Sequence, residues 1–210
     1  MTGATTERHM LGEDEAAPLA GLAARVRELT EAAVLTGVDV GEARAVADEI
    51  AALTERLRAV RRDAPPFLVT DGHRMDRQGG NPVTGVLNPI APPVDLDVTA
   101  DGIVRAEFTL NDVYEGPPSY VHGGMSAMVL DQALGMAAAQ TGVGGMTATL
   151  ELRYRRPTPL GVPLTVEAKA SRVEGRKIYA SGTIAGPDGR VTVEATAMFV
   201  TPQHFLVHER

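Results

Sequence analysis

The stretch that decides the fold is HGGMSAMVLDQALGMAAAQ, residues 122–140. It has no alternation of polar and apolar positions, is rich in Ala and Met, and starts with two glycines just after a histidine. This composition favours a helix of about five turns. Because the side chains are apolar almost all round, the helix must be buried. The apolar surface that buries it has to come from a β-sheet.

Segments whose polar and apolar residues alternate supply that sheet. Polar and apolar side chains alternate in four segments: 104–110, 147–155, 164–171 and 191–199. This is the pattern of strands with one buried face, and in the second segment it puts Thr147 on the polar face with Arg153. A further strand at 177–184, joined by the turns EGR and GPDG, makes the C-terminal third an antiparallel meander. We therefore expect an α+β fold, with a curved antiparallel sheet wrapped around one long central helix.

The residues before the sheet divide into a helical extension, 1–63, and a stretch rich in Pro, Gly and Asn, 64–93. The extension predicts a helical hairpin, with Gly37 ending the first helix and Asp39 capping the second. The apolar stripe of the second helix packs on the protein's own core, which is the interpretation we favour, or on another subunit. The stretch 64–93 predicts a linker or a loop that covers a site, and the sheet domain spans 94–203.

Composition excludes several classes of protein. The chain of 210 residues has no Cys, which excludes a disulfide scaffold, a thiolate metal site and a cysteine nucleophile. A net charge of -7 argues against a broad nucleic-acid interface, which needs a cationic surface. No apolar run is long enough for a membrane span, and the N-terminus lacks the features of a signal peptide. We expect a cytoplasmic protein that needs neither a metal nor a cofactor.

Asp131 is the first candidate for chemistry, because it lies among apolar residues of the central helix. A buried carboxylate is costly unless it is paired or functional. From the residues alone, two interpretations remain open: a structural Asp satisfied by Thr147 or Arg153, and a functional Asp.

Gly123 and Gly124 are the second candidate, because backbone N–H groups at a helix N-terminus can hold a developing oxyanion. The plainer alternative is that the glycines only allow a tight turn.

Four features follow one another in this chain: a strand, an HGG that opens a buried helix, an Asp nine residues after the His, and a β-meander. This combination resembles the hot-dog-fold acyl-CoA thioesterases of the thioesterase superfamily. Two later stretches are more specific: MTATLELRYRRPTPLG, 146–161, and VEGRKIYASG, 173–182. They are similar to the branch that includes the human C-terminal modulator protein, in which a Thr just after the helix accompanies the catalytic Asp. The resemblance covers roughly 94–201 and implies hydrolysis of an acyl-CoA thioester to free acid and CoA.

The resemblance also implies residue roles. Asp131 would act as base or nucleophile, and the Gly123 amide would form the oxyanion hole. His122 would orient the substrate carbonyl and the glycine turn, and Thr147 would hold the attacking water or Asp131. Other members have an Asn six residues before the His, where this chain has Gly116. Activation of the carbonyl would then depend on backbone amides or on Ser119.

The spacing of Gly123 and Asp131 predicts a dimer. Eight residues of helix separate them by about 12 Å, so one thioester carbon cannot contact both within one chain. The resemblance implies the same arrangement, a homodimer or a dimer of dimers with sites at the interface.

Coenzyme A binding is predicted at Gly124 and at Arg153, Arg155 and Arg156, since guanidinium groups suit phosphates. The plainer account of the arginines is a solvated sheet face. Two other functions stay open at this stage. One is a hot-dog enoyl-CoA hydratase or dehydratase, and the other is an acyl-CoA-binding module without turnover.

Overall fold

The computed structural model describes residues 8–69, 78–142 and 144–203. Its contacts divide the chain into two units, residues 1–81 with 85–89, and residues 82–84 with 90–210. The domain boundaries at residues 63 and 93 stay predictions. Part of the predicted loop 64–93, residues 70–77, lies outside the described residues.

In the first unit, the described residues form two helices and a small parallel pair of strands. Its elements are β1 (Met10–Leu11), α1 (Glu13–Leu35), α2 (Val40–Arg58) and β2 (Phe67–Leu68), with β1 paired to β2. Asp39 caps α2 as predicted, because its Oδ1 accepts the N–H groups of Gly41 at 2.7 Å and Glu42 at 3.0 Å. α2 has no buried residue. No described part of this unit buries its apolar stripe, and packing on the protein's own core and pairing with another subunit both stay predictions.

The second unit is an antiparallel sheet of six strands with one long helix. The strands are β3 (Asp97–Val98), β4 (Val104–Phe108), β5 (Met146–Tyr154), β6 (Leu164–Glu174), β7 (Lys177–Ala185) and β8 (Val191–Val200), and the helix is α3 (Gly123–Ala139). The strand order is β3-β4-β6-β7-β8-β5, and every pair is antiparallel. The predicted central helix and meander are confirmed.

The core lies between α3 and one face of this sheet, since α3 packs against β4 to β8. Leu130 and Leu134 of α3 are fully buried, as are Val166 of β6 and Val193 of β8. Burying a Leu side chain stabilises a fold by about 1.5–3 kcal/mol, so this layer holds the helix on the sheet. The arrangement is the predicted hot-dog fold.

β5 forms one edge of the sheet and contains a register shift between Thr147 and Thr149. Thr147 pairs with Phe199, and Leu150 pairs with Ala197. Both partners are buried, so Thr147 and Leu150 lie on the same face, toward α3. The prediction that Thr147 lies on the polar face is therefore wrong. The β-bulge adds one residue and reverses the alternation on its N-terminal side.

Candidate functional site

The N-terminus of α3 presents one free backbone amide. Nδ1 of His122 accepts the Gly124 N–H at 3.0 Å, and the Tyr154 hydroxyl donates to the Gly123 carbonyl at 2.9 Å. The peptide unit between the two glycines is thus held at both its oxygen and its N–H. Within the described residues, the Gly123 N–H has no hydrogen-bond acceptor. It therefore remains available to a ligand, whereas the Gly124 N–H is already occupied.

Gly123 has a steric reason to be a glycine. A Cβ at this position would lie 3.1 Å from the Tyr154 hydroxyl oxygen and 3.2 Å from two ring carbons. Its neighbour Gly116 has a stronger one, because a Cβ there would lie 2.7 Å from the Cα of His122. The Asn that the resemblance leads one to expect at this position does not fit at Gly116 without a shift of this backbone. The tight-turn interpretation of HGG and the oxyanion interpretation of the Gly123 amide are therefore compatible.

A cavity of about 600 Å³ lies at this end of α3. Its lining residues are Pro117, Tyr120, Val121, Gly123, Ser126, Tyr154, Arg155, Arg156, Pro157 and Thr158. The side chains of two prolines, two tyrosines and one valine form much of the wall, and the two arginines are its charged groups. Among the residues predicted from sequence, the cavity brings together Gly123, Arg155 and Arg156.

Asp131 and Thr147 form a second cluster. The Thr147 hydroxyl donates to Oδ1 of Asp131 at 2.9 Å, which selects Thr147 over Arg153 as the partner. The carboxylate is half-buried, so the expectation of a dry Asp is corrected for the single chain. Because β5 is an edge strand, no further strand of this sheet lies beyond it to cover Asp131, and solvent can reach the carboxylate. Oδ2 makes no hydrogen bond or ion pair with the described residues.

One chain does not bring the two clusters together. α3 is continuous from Gly123 to Ala139, and at 1.5 Å per residue Gly123 and Asp131 are about 12 Å apart along it. Asp131 and Thr147 are not among the residues that line the cavity. The half-exposed carboxylate and the free amide are thus separate features of one protomer.

The three predicted arginines differ in their surroundings. Arg155 donates through Nη2 to Oε2 of Glu194 at 2.8 Å, and this hydrogen bond lowers the pKa of Glu194 and raises the pKa of Arg155. Arg156 donates to the carbonyl of Val191 at 3.0 Å. Arg153 pairs in register with Glu194 on the sheet face opposite α3, away from the cavity. Arg155 and Arg156 are therefore placed to contact a ligand there, and Arg153 is not.

Sequence reasoning missed Tyr154 and Ser126, which both line the cavity. Tyr154 was counted only as an apolar position of a strand, and no local pattern signals its contact with Gly123. Ser126 is a polar residue in an apolar helix, which is the signal that could have identified it. Ser119 has a φ of 71° and its N–H donates to Glu115 at 2.6 Å. It does not line the cavity.

Within residues 8–69, 78–142 and 144–203, no three His, Asp or Glu side chains come together in a way that could hold a metal ion. Nor does any helix in those ranges have the length and apolarity needed to cross a bilayer.

Comparison with known proteins decides the family. A family model described as the thioesterase superfamily matches residues 119–193. A crystal structure of a thioesterase superfamily protein is 38% identical, with a TM-score of 0.76, over 87% of this chain and 94% of that chain. The chain belongs to the thioesterase superfamily. The match to this structure extends well beyond the 119–193 range, so the kinship is not confined to the HGG helix and the strands that follow it.

Curated superfamily relatives match over a shorter region. Acyl-coenzyme A thioesterase THEM4 of Xenopus laevis is 39% identical over 87 residues, which are 41% of this chain and 39% of that protein. The Mus musculus protein of the same name is also 39% identical over 87 residues, 37% of its length. This superfamily chain thus spans about two fifths of the curated relatives that it matches.

Proposed function

We propose that this protein hydrolyses an acyl-CoA thioester to free acid and CoA, at two equivalent sites shared between two copies of the chain. One observation carries the proposal. The Asp131 carboxylate is fixed through Oδ1 by Thr147, while its Oδ2 is unpaired among the described residues and the side chain is half-exposed beside an edge strand. The names of the curated relatives support thioester hydrolysis as the chemistry.

The direction of β5 supports a shared site. Its first residues contact α3 at Asp131, through Thr147, and its last residue contacts α3 at Gly123, through Tyr154. A two-fold axis that pairs two β5 edges makes them antiparallel. The Thr147 end of one strand then lies opposite the Tyr154 end of the other. Such pairing carries the carboxylate of each protomer toward the free amide of its partner.

The edge of β5 is suited to such pairing. β5 has a neighbour in the sheet, β8, on one side only, so its other side presents unpaired backbone groups. Met146 is 61% exposed and Tyr154 is 56% exposed in the single chain. A second copy would bury these side chains and would also reduce the exposure of Asp131.

In this arrangement the chemistry needs few groups. Asp131 takes a proton from water through Oδ2, or attacks the thioester carbon itself, and the partner's Gly123 N–H stabilises the oxyanion. A thiol with a pKa near ~8.5 leaves as thiolate without a strong general acid. Arg155 and Arg156 at the cavity contact the CoA phosphates. His122 supports the turn, because its Nδ1 accepts the Gly124 N–H.

Mixed dimers test the shared site. Gly123→Pro removes the N–H at the first helical position, where Pro is tolerated, and Gly123→Ala is the control for the added Cβ. We expect Asp131→Asn and Gly123→Pro each to be inactive alone. Co-expressed, they should recover about a quarter of wild-type turnover, since half of the dimers are mixed and each mixed dimer has one intact site. Free thiol release from acyl-CoA measures this, and no recovery would place both groups in one chain's site.

A further inference from the structure

Ser126 carries an inference that deepens the proposed function and rests on it. The residue is 2% exposed, lines the 600 Å³ cavity, and lies three residues after Gly123 on α3. Its hydroxyl makes no hydrogen bond with any described residue. Serines inside helices commonly donate to the carbonyl four residues earlier, and Ser126 does not. Among the described residues, its oxygen is not one of the fully buried side-chain atoms that lack a partner, so it is open to the cavity, where a bound group can satisfy it.

Most of the other polar side chains of the cavity are already engaged. The Thr158 hydroxyl bonds to Thr192 at 2.9 Å, and Tyr154 bonds to Gly123. Arg155 and Arg156 have protein partners as well. The Tyr120 hydroxyl has no partner among the described residues either, but Tyr120 is 40% exposed, whereas Ser126 is a buried residue whose hydroxyl is left for a ligand.

Its distance from the free amide limits what it can contact. Residues three apart on a helix share a face, with about 5–6 Å between their Cβ positions. If the thioester oxygen binds the Gly123 N–H, the substrate atom next to Ser126 is therefore only a few covalent bonds from the thioester. We propose that Ser126 binds a hydrogen-bonding group close to the thioester. That group is either an oxygen substituent of the acyl chain or the pantetheine amide on the sulfur side.

Four thioesters distinguish the two sources: butyryl-CoA, 3-hydroxybutyryl-CoA, the butyryl thioester of N-acetylcysteamine, and S-ethyl thiobutyrate. The first two differ only in an acyl hydroxyl. The last two differ in the amide, which N-acetylcysteamine keeps. The values of kcat/KM are compared for wild type, Ser126→Ala and the control Ser181→Ala, an exposed serine on β7. Ala suits a helix interior, so Ser126→Ala should fold.

The expected effect is a loss of about three- to tenfold, the size of one neutral hydrogen bond. A loss on 3-hydroxybutyryl-CoA alone assigns Ser126 to the acyl substituent. A loss on the three amide-containing esters, with S-ethyl thiobutyrate unaffected, assigns it to the pantetheine amide. Equal rates for both variants on all four esters overturn the inference, and so does a uniform loss that includes S-ethyl thiobutyrate. If wild type hydrolyses none of them, the proposed function fails and this inference fails with it.

Discussion

Replacing Asp131 with Asn tests the chemistry with the least change in shape. The Asn Oδ1 can still accept the Thr147 hydroxyl, which bonds Asp131 at 2.9 Å. The negative charge and the basicity of the second oxygen are lost. A positioned general base contributes about 10²- to 10⁴-fold to a rate, or about 2.7–5.4 kcal/mol at 1.36 kcal/mol per tenfold. We expect kcat to fall by that factor while the protein stays folded.

Stability should change little, because Asp131 is half-buried and the substitution keeps its hydrogen bond. A change within about 0.5 kcal/mol is usual for such sites, which shifts Tm by roughly 1–2 °C in a chain of this size. Thermal unfolding and free thiol release from acyl-CoA, measured on the same sample, separate a loss of chemistry from a loss of fold.

Thr147→Val is the matched control, because it keeps the carboxylate and removes the donor. A hydrogen bond to a charged group contributes about 1.5–3 kcal/mol, and the exposure of Thr147 favours the lower end, about tenfold. If Thr147 acts through Asp131, the variant that combines Thr147→Val with Asp131→Asn should have a kcat no lower than that of Asp131→Asn alone. Folded Asp131→Asn with more than a tenth of wild-type turnover would refute this account of the site.

Three further predictions concern the cavity. Tyr154→Phe removes the donor to the Gly123 carbonyl, so kcat should fall about three- to tenfold with KM little changed; a rise in KM alone would contradict this. Arg156→Gln should raise KM for acyl-CoA but not for an N-acetylcysteamine ester, which has no phosphates, whereas Arg153→Gln on the other sheet face should change neither. The bond from Arg155 lowers the pKa of Glu194, so the pair is present above the ordinary carboxyl pKa and is lost as pH falls through the lowered value. In an NMR titration the midpoint of Glu194 should rise in Arg155→Gln, and an unchanged midpoint would exclude the pair in solution.

The parts of the fold that follow from local pattern could be predicted. Alternation in 191–199 reports one buried face, and Val193 and Phe199 are indeed buried. The apolar stretch 122–140 gave the central helix to within one residue at each end, Gly123–Ala139. The pairing of Asp131 with Thr147 was one of two alternatives that composition left open.

The parts that depend on long-range packing could not. Asp131 has apolar neighbours in sequence, but its exposure is set by β5 being the last strand of the sheet. Thr147 was placed on the wrong face because a bulge does not interrupt the alternation of residue types: Thr147, Ala148 and Thr149 still read as polar, apolar and polar. Tyr154 was missed because its hydroxyl meets Gly123, 31 residues earlier in the chain.

The bulge and the edge position of β5 have one joint consequence for the site. A regular β5 would turn Thr147 away from α3, and Asp131 would lose the donor that fixes Oδ1. Beyond the bulge, regular pairing from Thr149 to Tyr154 keeps Tyr154 on the face toward α3, where it reaches Gly123. One strand thus directs one hydroxyl to the N-terminus of the helix and another to its middle. Only an edge strand can also meet a second copy, and β5 is one of the two edges. The strand that orients both halves of the site is therefore also able to join them across a two-fold axis.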